Sequence, residues 1–249
     1  METQRDIEKQ VLADQLHRGG SPLTRYATKV LGSNKGLVHL LQYELCQLLL
    51  MNLGGGIGYL LRRIALSSLF KACGKKTIFG RALTLRGPGN ISLGENVAID
   101  DQSQLDGGTG EQCSITLGKD VVISKGCVIQ AKTGPLAMGE GCDIGAHCII
   151  SSVGGIVLEN NVLIAGNCYI GGARYHMSDM ESPIMYQGIF TRGPITIGEG
   201  SWIGASVTVL DGVTIGRGCV IGAGSLVTKN IPDFAVAVGT PAKIVEIRK

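Results

Sequence analysis

Aliphatic side chains recur at every sixth position over most of this chain, and this period limits the possible folds more than any other feature. The recurrence holds at eighteen positions, all occupied by Ile, Leu, Val or Met. They are Leu93, Ile99, Leu105, Leu117, Ile123, Ile129, Met138, Ile144, Ile150, Leu158, Ile164, Ile170, Ile197, Ile203, Val209, Ile215, Ile221 and Val227. Glycine directly follows nine of them, which suits sharp corners between short strands. The period therefore predicts a mainly β chain folded as a parallel β-helix.

Three hexapeptides would close one triangular coil of 18 residues, so the starts of successive coils can be compared. The spacings between these starts are 24, 21, 20, 39 and 18 residues. An insertion elsewhere would put the following core positions out of phase, so every insertion must follow the third hexapeptide. One corner of the prism is thus expected to carry all the insertions, the longest of 21 residues after Ile170.

Four places after each aliphatic position the chain has a small or β-branched residue, except at Arg174 and Ile231, which border a loop and the tail. Five of the eight cysteines occupy this place: Cys127, Cys142, Cys148, Cys168 and Cys219. Free cysteine behaves as a small buried hydrophobe, so we interpret them as core filling in a reducing compartment. There is no C-x-x-C pair and the four histidines are scattered, so no metal is expected.

The net charge of +3 comes without a long basic block. A modest basic cluster comprises Arg62, Arg63, Lys71, Lys75 and Lys76. This is too little to favour nucleic-acid binding. The opening "METQRDIEKQ" has no apolar stretch typical of a cleaved signal, which favours a cytoplasmic location.

Residues 1–76 read as a helical N-terminal region, with two leucine-rich stretches broken by glycines at 54–56. The uncharged run from Leu45 to Leu61 is 17 residues long and contains these glycines, so a clean membrane span is not expected. Two interpretations stay open. The helices make peripheral contact with the inner face of a membrane, or they cap the first coil and pack within an oligomer.

The stretch "GPITIGEGSWIGASVTVLDGVTIGRGCVIGAGSLVTKNIPDFAVAVGTPAKIV" resembles the hexapeptide-repeat acyltransferases, in particular the maltose, galactoside and polysaccharide O-acetyltransferase branch. The similarity is specific from Ile164 to Val245, and from Thr77 to Ala173 only the generic repeat matches. It implies a left-handed β-helix over residues 77–231, with an active-site loop at 171–196 and a C-terminal tail at 232–249. It also implies a homotrimer with acetyl-CoA in the groove between neighbouring prisms.

In the family the catalytic histidine lies in the long loop, which here contains His176. Acetyl transfer to a hydroxyl needs a base that takes the proton as oxygen attacks the thioester, and the ordinary pKa of histidine, near neutrality, suits that task. Asp179 or Glu181 is placed in sequence to orient the imidazole, with Asp179 preferred.

By the same resemblance, six residues are expected to line the acetyl-CoA groove: Trp202, Ala205, Ala223, Thr228, Lys229 and Lys243. The backbone N–H of Ala205 would stabilise the oxyanion, and Lys243 would attract the CoA phosphates. Galactoside acetyltransferases have a second basic residue three places after that lysine, whereas this chain has Glu246.

His147 and Asn167 share one phase of the repeat and are expected to stack one coil apart, where they would bind the acceptor. In galactoside-type relatives the position of His147 holds an asparagine, so the acceptor stays open. A γ-carbonic anhydrase needs three zinc histidines, and only these two histidines, His147 and His176, lie within the repeat.

The sequence thus predicts a homotrimeric, acetyl-CoA-dependent O-acetyltransferase acting on a carbohydrate hydroxyl, of a saccharide or a surface polysaccharide precursor. N-acetylation of an amino sugar and O-acetylation of a small non-sugar metabolite are the alternatives within the enzyme class. A non-catalytic β-helix scaffold is the alternative outside it.

Overall fold

The computed structural model describes residues 5–7, 21–31 and 37–249. Among these residues, three α-helices precede the repeat: α1 (Pro22–Leu31), α2 (Leu37–Leu49) and α3 (Gly55–Leu66). The strands up to the fourth coil are β1 (Arg5–Ile7), β2 (Ala72–Cys73), β3 (Ile78–Phe79), β4 (Thr84–Arg86), β5 (Ile91–Leu93), β6 (Ala98–Ile99), β7 (Gln104–Asp106), β8 (Ile115–Leu117), β9 (Val122–Ile123), β10 (Val128–Ala131), β11 (Leu136–Met138), β12 (Asp143–Ile144) and β13 (Ile149–Ser152). The remaining strands are β14 (Ile156–Leu158), β15 (Leu163–Ile164), β16 (Tyr169–Gly171), β17 (Arg174–Tyr175), β18 (Ile189–Thr191), β19 (Ile195–Ile197), β20 (Trp202–Ile203), β21 (Thr208–Val209), β22 (Thr214–Ile215), β23 (Val220–Ile221), β24 (Leu226–Val227), β25 (Ala235–Gly239) and β26 (Ala242–Ile247).

All strands but β1, β17, β18 and β26 build three parallel sheets, which form the faces of a left-handed β-helix, as predicted. A separate antiparallel sheet has the order β1, β18, β17. The first face runs from β2 to β22, the second from β3 through β23 to β25, and the third from β4 to β24. Each coil contributes one strand to each face, and the aliphatic positions pair in register, as Ile144 does with Ile164. We call the turn from second to third face the second corner, and the turn from third face to the next coil the third corner.

The solenoid begins at Ala72, one coil before Leu93, the first position of the aliphatic pattern, and five residues before the expected start at residue 77. Cys73, Phe79 and Leu85 continue the six-residue step upstream, and β2 and β3 pair in parallel with β5 and β6. Cysteine and phenylalanine break the aliphatic pattern in sequence, yet Phe79 is fully buried and fills the end of the core.

Ile231, an exception to the small-residue column, continues the repeat at the other end. It forms a parallel bridge with Ile215 on the first face, and six residues later Ala237 pairs with Ile221. The step from Val227 to Ile231 is four residues instead of six, so Ile231 occupies a core position and not a corner. β26 then turns back antiparallel along β25.

The interior of the prism contains the aliphatic and cysteine columns, as predicted. Ile129, Ile144, Ile164 and Ile203 are completely buried. All eight cysteines are free thiols, and the five in the repeat are buried. Each of these five thiols donates to a backbone carbonyl of the following turn at 3.0–3.1 Å.

These thiols are expected to react slowly with a disulfide reagent in the folded protein. Burial keeps the reagent away from all five thiols, and at Cys142 and Cys219 it also raises the thiol pKa, which leaves little of the reactive thiolate at neutral pH. Timed reaction with Ellman's reagent should show the half-buried Cys73 reacting first and the repeat thiols only on unfolding. A Cys73→Ser variant should lose the first phase alone, and rapid native reaction of the repeat cysteines would contradict the assignment.

The helices cover the first coil, at the N-terminal end of the prism. Leu66 and Leu69 are fully buried there, and Tyr43 Oη donates to the carbonyl of Leu85 at 3.1 Å. Arg62, a member of the basic cluster noted in the sequence, is completely buried. In the described part of the chain, no helix combines the length and apolarity that crossing a bilayer requires.

Candidate functional site

His176 lies on an antiparallel hairpin inserted at the third corner, between the fifth and sixth coils. β17 and β18 form the hairpin, with Arg174 opposite Phe190 and Tyr175 opposite Ile189. His176 directly follows β17, and its backbone N–H donates to the carbonyl of Gly188 at 3.1 Å. The imidazole packs against Phe190, with ring centroids 4.8 Å apart. The long loop is therefore an ordered element that gives the histidine a defined place.

The tip of the hairpin is held by a residue that the sequence did not single out, Gln187. Its Nε2 donates to the carbonyls of Asp179 and Ser182 at 2.7 and 2.8 Å, and its Oε1 accepts from the Asp179 N–H at 3.1 Å. Asp179 Oδ1 accepts from the backbone N–H of Glu181 at 2.9 Å. Asp179 thus organises the turn, whereas Glu181 enters these bonds through its backbone.

Asp211 anchors the base of the hairpin and was also missed in the sequence. It is 5% exposed and belongs to the following coil, just after β21. Its Oδ2 accepts from the Arg192 N–H at 2.7 Å, and its Oδ1 lies 3.3 Å from Arg174 Nε. One buried carboxylate therefore fastens both strands that flank His176.

Ala205 and Ala223 stack at the second corner of adjacent coils, as predicted. The Gly224 N–H donates to the Ala205 carbonyl at 2.8 Å, and a Cβ on Gly204 would lie 2.7 Å from the Ala223 nitrogen. Both alanines are exposed, so a narrow track of small residues runs up this corner. Trp202 lies beside it on the second face, half exposed.

His147 and Asn167 occupy equivalent turns of the second corner, with φ of 59° and 61°. Both side chains are exposed. The imidazole of His147 covers Gly126 of the preceding coil, where an added Cβ would come within 2.5 Å of Nδ1. Glycine at 126 thus leaves the space that the His147 ring fills.

Within one chain the predicted site residues form two groups. The second-corner group is His147, Asn167, Ala205 and Ala223. The third-corner group is His176, Asp179, Thr228 and Lys229, the last two directly after β24. Lys243 lies apart on β26 and is exposed. The third face separates the two groups, so one prism does not bring them together.

The described residues contain no group of three or more His, Cys, Asp or Glu side chains able to hold a metal ion.

Among the charged residues of the tail, the Arg248 guanidinium donates to the Gly218 carbonyl at 2.8 Å. Lys243 extends from β26 opposite Val238. The cation that faces solvent on this strand is therefore Lys243.

Two hexapeptide family models match the chain. The bacterial transferase hexapeptide (six repeats) matches residues 194–229, and the hexapeptide repeat of succinyl-transferase matches residues 135–171. The probable acetyltransferase Rv3034c of Mycobacterium tuberculosis is 38% identical over 161 residues, which cover 65% of this chain and 51% of that protein. The putative acetyltransferase SAR2635 of Staphylococcus aureus is 58% identical over 59 residues, covering 24% of this chain and 30% of the relative. The chain thus spans about half or less of the length of these curated relatives.

A solved structure of a mutant of AntD, an N-acyltransferase from Bacillus cereus, in complex with dTDP and coenzyme A, has a TM-score of 0.52 to this chain. It is 20% identical, and the match covers 76% of this chain and 88% of AntD. At 20% identity, this similarity shows only that the two proteins share a fold. The six-residue period, the three-faced solenoid and the two family matches together identify the chain as a hexapeptide-repeat protein with a left-handed β-helix, similar to the acyltransferases built on this repeat.

Proposed function

We propose that the protein is an acetyl-CoA-dependent O-acetyltransferase that acetylates a carbohydrate hydroxyl with His176 as general base. The observation that carries the proposal is the ordered hairpin at the third corner, which holds an imidazole beside Phe190 at the only long insertion of the repeat. A scaffold without catalysis would not need a buried carboxylate to fix that hairpin to the next coil.

The chemistry follows from the residues in the two groups. His176 would take the proton of the acceptor hydroxyl as its oxygen attacks the thioester carbonyl. Negative charge then develops on the carbonyl oxygen, which the backbone N–H of Ala205 would stabilise. Collapse of this intermediate breaks the C–S bond, and the sulfur of CoA takes the proton from the imidazolium. The products are the acetyl ester and free CoA.

The site requires a second copy of the chain, because the two groups lie at different corners. A homotrimer would place the third corner of one prism against the second corner of its neighbour. The surface supports this arrangement, since apolar side chains flank the second corner on both sides. Leu163 and Trp202 are 44% and 50% exposed on the second face, and Ile149 and Tyr169 are 40% and 38% exposed on the third.

Acetyl-CoA would follow the track of Ala205 and Ala223, where small side chains leave room for a pantetheine arm. Thr228 and Lys229 would contact the cofactor at the upper end, and the exposed Lys243 would attract its phosphates. The AntD complex contains coenzyme A, which supports this choice of co-substrate. Eight free thiols support a cytoplasmic location, where cysteines stay reduced.

Acceptor-dependent release of CoA from acetyl-CoA tests the proposal. The panel should pair sugars with matched amino sugars and include polysaccharide fragments and small hydroxyl metabolites. Release with hydroxyl acceptors, and ester formation by mass spectrometry, is expected. Amide formation alone would replace O-transfer with N-transfer, and no binding of acetyl-CoA would favour the scaffold.

Removing the carboxylate of Asp211 is expected to lower kcat about 10- to 100-fold with little change in the KM for acetyl-CoA. An Asp211→Ala variant releases Arg174 and the Arg192 N–H, and a displacement of the base by about 1 Å costs about that much in rate. Asp233→Ala is the matched control, because Asp233 pairs with Arg217 at the exposed surface. Equal kcat in both variants would show that the hairpin is held without Asp211.

A further inference from the structure

Helices α2 and α3 present apolar side chains on two opposite sides. One side packs on the first coil through residues such as Leu40 and Leu66. The other side points outward, and no described residue covers it. Its six principal members are 57–80% exposed: Leu41, Leu45, Leu48, Ile57, Leu60 and Ile64. We call these six residues the outer apolar face. Their spacing of three and four residues gives one continuous stripe on each helix, and a helix that is apolar all round is normally covered.

The charge around this face is strongly asymmetric. Residues 21–81 hold nine Lys and Arg but a single acidic residue, Glu44. From totals of 23 basic and 20 acidic residues, this leaves 14 basic and 19 acidic residues for the rest of the chain. Glu44 accepts a hydrogen bond from Tyr26, so its charge is engaged locally. The stretch of sequence that carries the outer apolar face is therefore strongly cationic, whereas the rest of the chain has an acidic excess.

Three of these cations form what we call the basic rim: Arg63 on α3, Lys71 at the start of the first coil and Lys75 in its first turn. Lys71 and Lys75 are exposed and Arg63 is half-buried. Within residues 37–249, none of the three pairs with a carboxylate. Arg81 differs, because Asp101 neutralises it at 2.8 Å.

An apolar face with unpaired cations fits a partner that is both apolar and anionic. We propose that the outer apolar face and the basic rim dock the protein on the surface of an anionic phospholipid bilayer. A second copy fits less well, since two cationic caps brought face to face would repel each other. The helices of 12 and 13 residues reach only about 20 Å, short of the roughly 30 Å apolar core, so they lie in the interface.

The position of the helices determines which end of the prism would face the membrane. The helices cover the N-terminal end of the solenoid, and the His176 hairpin follows the fifth coil. With about 4.8 Å per coil, the hairpin lies about 20 Å above the docked end. If the prisms are parallel in the proposed trimer, three docking faces lie in one plane and bind together, which increases the avidity. The contact itself rests on the single chain and does not require the proposed chemistry.

Co-sedimentation of the full chain with vesicles tests the proposal. Vesicles of phosphatidylcholine are compared with vesicles that also contain about 30% phosphatidylglycerol. The protein is expected to pellet with the anionic vesicles and to lose at least about tenfold in partition without the anionic lipid or in about 0.5 M salt. The double variant Leu48→Glu and Ile64→Glu should lose at least about tenfold, as should Lys71→Glu with Lys75→Glu.

The matched control is Val245→Glu with Ile247→Glu, which adds the same two negative charges at apolar residues that are 62% and 50% exposed at the far end of the prism. It should pellet like the unmodified protein. The proposal is overturned if the unmodified protein stays in the supernatant, or if the variants at Leu48 and Ile64 bind as well as the control. It is also overturned if light scattering shows an assembly larger than a trimer that only those variants dissociate, because the face would then cover a second copy. CoA release with a soluble acceptor separates these outcomes from a failure of the proposed chemistry.

Discussion

Replacing His176 with alanine is expected to lower the rate of acetyl transfer by about 10²- to 10⁴-fold, the range for loss of a general base. The hairpin should keep its fold, because its bonds run through the backbone of His176 and through Gln187 and Asp211. The backbone N–H to Gly188 persists in the variant. Acetyl-CoA binding should therefore change by less than about twofold, and the loss should fall on kcat.

The measurement is CoA release with the acceptor found in the panel, together with acetyl-CoA titration by calorimetry. His39→Ala is the matched control, since His39 lies on α2, away from both site groups. A second variant, Phe190→Leu, removes the ring against which His176 packs and should give an intermediate loss. Full activity in His176→Ala would refute the general base assignment.

Replacing Arg62 with alanine is expected to destabilise the helical cap by about 3 kcal/mol or more, because each buried carbonyl left without a donor costs about 1–3 kcal/mol. The guanidinium is completely buried and donates to three carbonyls, those of Phe79 at 2.9 Å, Leu50 at 3.0 Å and Leu53 at 2.6 Å. Two of these carbonyls follow the C-terminal end of α2, where a cation is favoured by the helix dipole. Alanine would leave all three buried acceptors without their donor.

Hydrogen exchange of the backbone amides shows which part of the chain loses stability in the Arg62→Ala variant. Amides of α2 and α3 should exchange at least about 100-fold faster, because each 1.4 kcal/mol corresponds to a factor of ten. Exchange in the last coils should be unchanged, since each coil of a solenoid depends on its neighbours. Arg63→Ala is the control, as that half-buried neighbour makes none of these bonds. If both variants exchange alike, Arg62 does not fasten the cap. Arg62→Lys, which keeps the charge but not the planar donors, should lie between them.

The repeat shows how far local pattern determines structure. A period of six, read from positions such as Ile144 and Ile164, correctly predicted three faces, in-register pairing and insertions at a single corner. The period failed only where its chemistry changed, at Cys73 and Phe79 upstream and at the shortened step before Ile231. At these two ends of the solenoid a core position is filled by cysteine or phenylalanine, or is reached by a step of four residues instead of six.

The candidate site was predictable in its parts and not in its arrangement. Position within the repeat placed His147 with Asn167 and Ala205 with Ala223, since residues of equal phase must stack. His176 followed from the one long insertion and the family resemblance. The hairpin that fixes His176 and the third face that keeps the two groups apart emerged only when the chain was folded.

The sequence by itself determined the solenoid, because each coil contacts only the coils next to it. The six-residue pattern within a coil is therefore enough to place its three strands. Only the tertiary structure decided the roles of Asp211, Gln187 and Arg62. Asp211 binds Arg174 across 37 positions, and Arg62 reaches Phe79 across 17. In sequence each is an ordinary polar residue of a turn, loop or helix. Whether a charge is solvated or buried depends on which distant carbonyls and amides surround it, and that is set only when the chain packs.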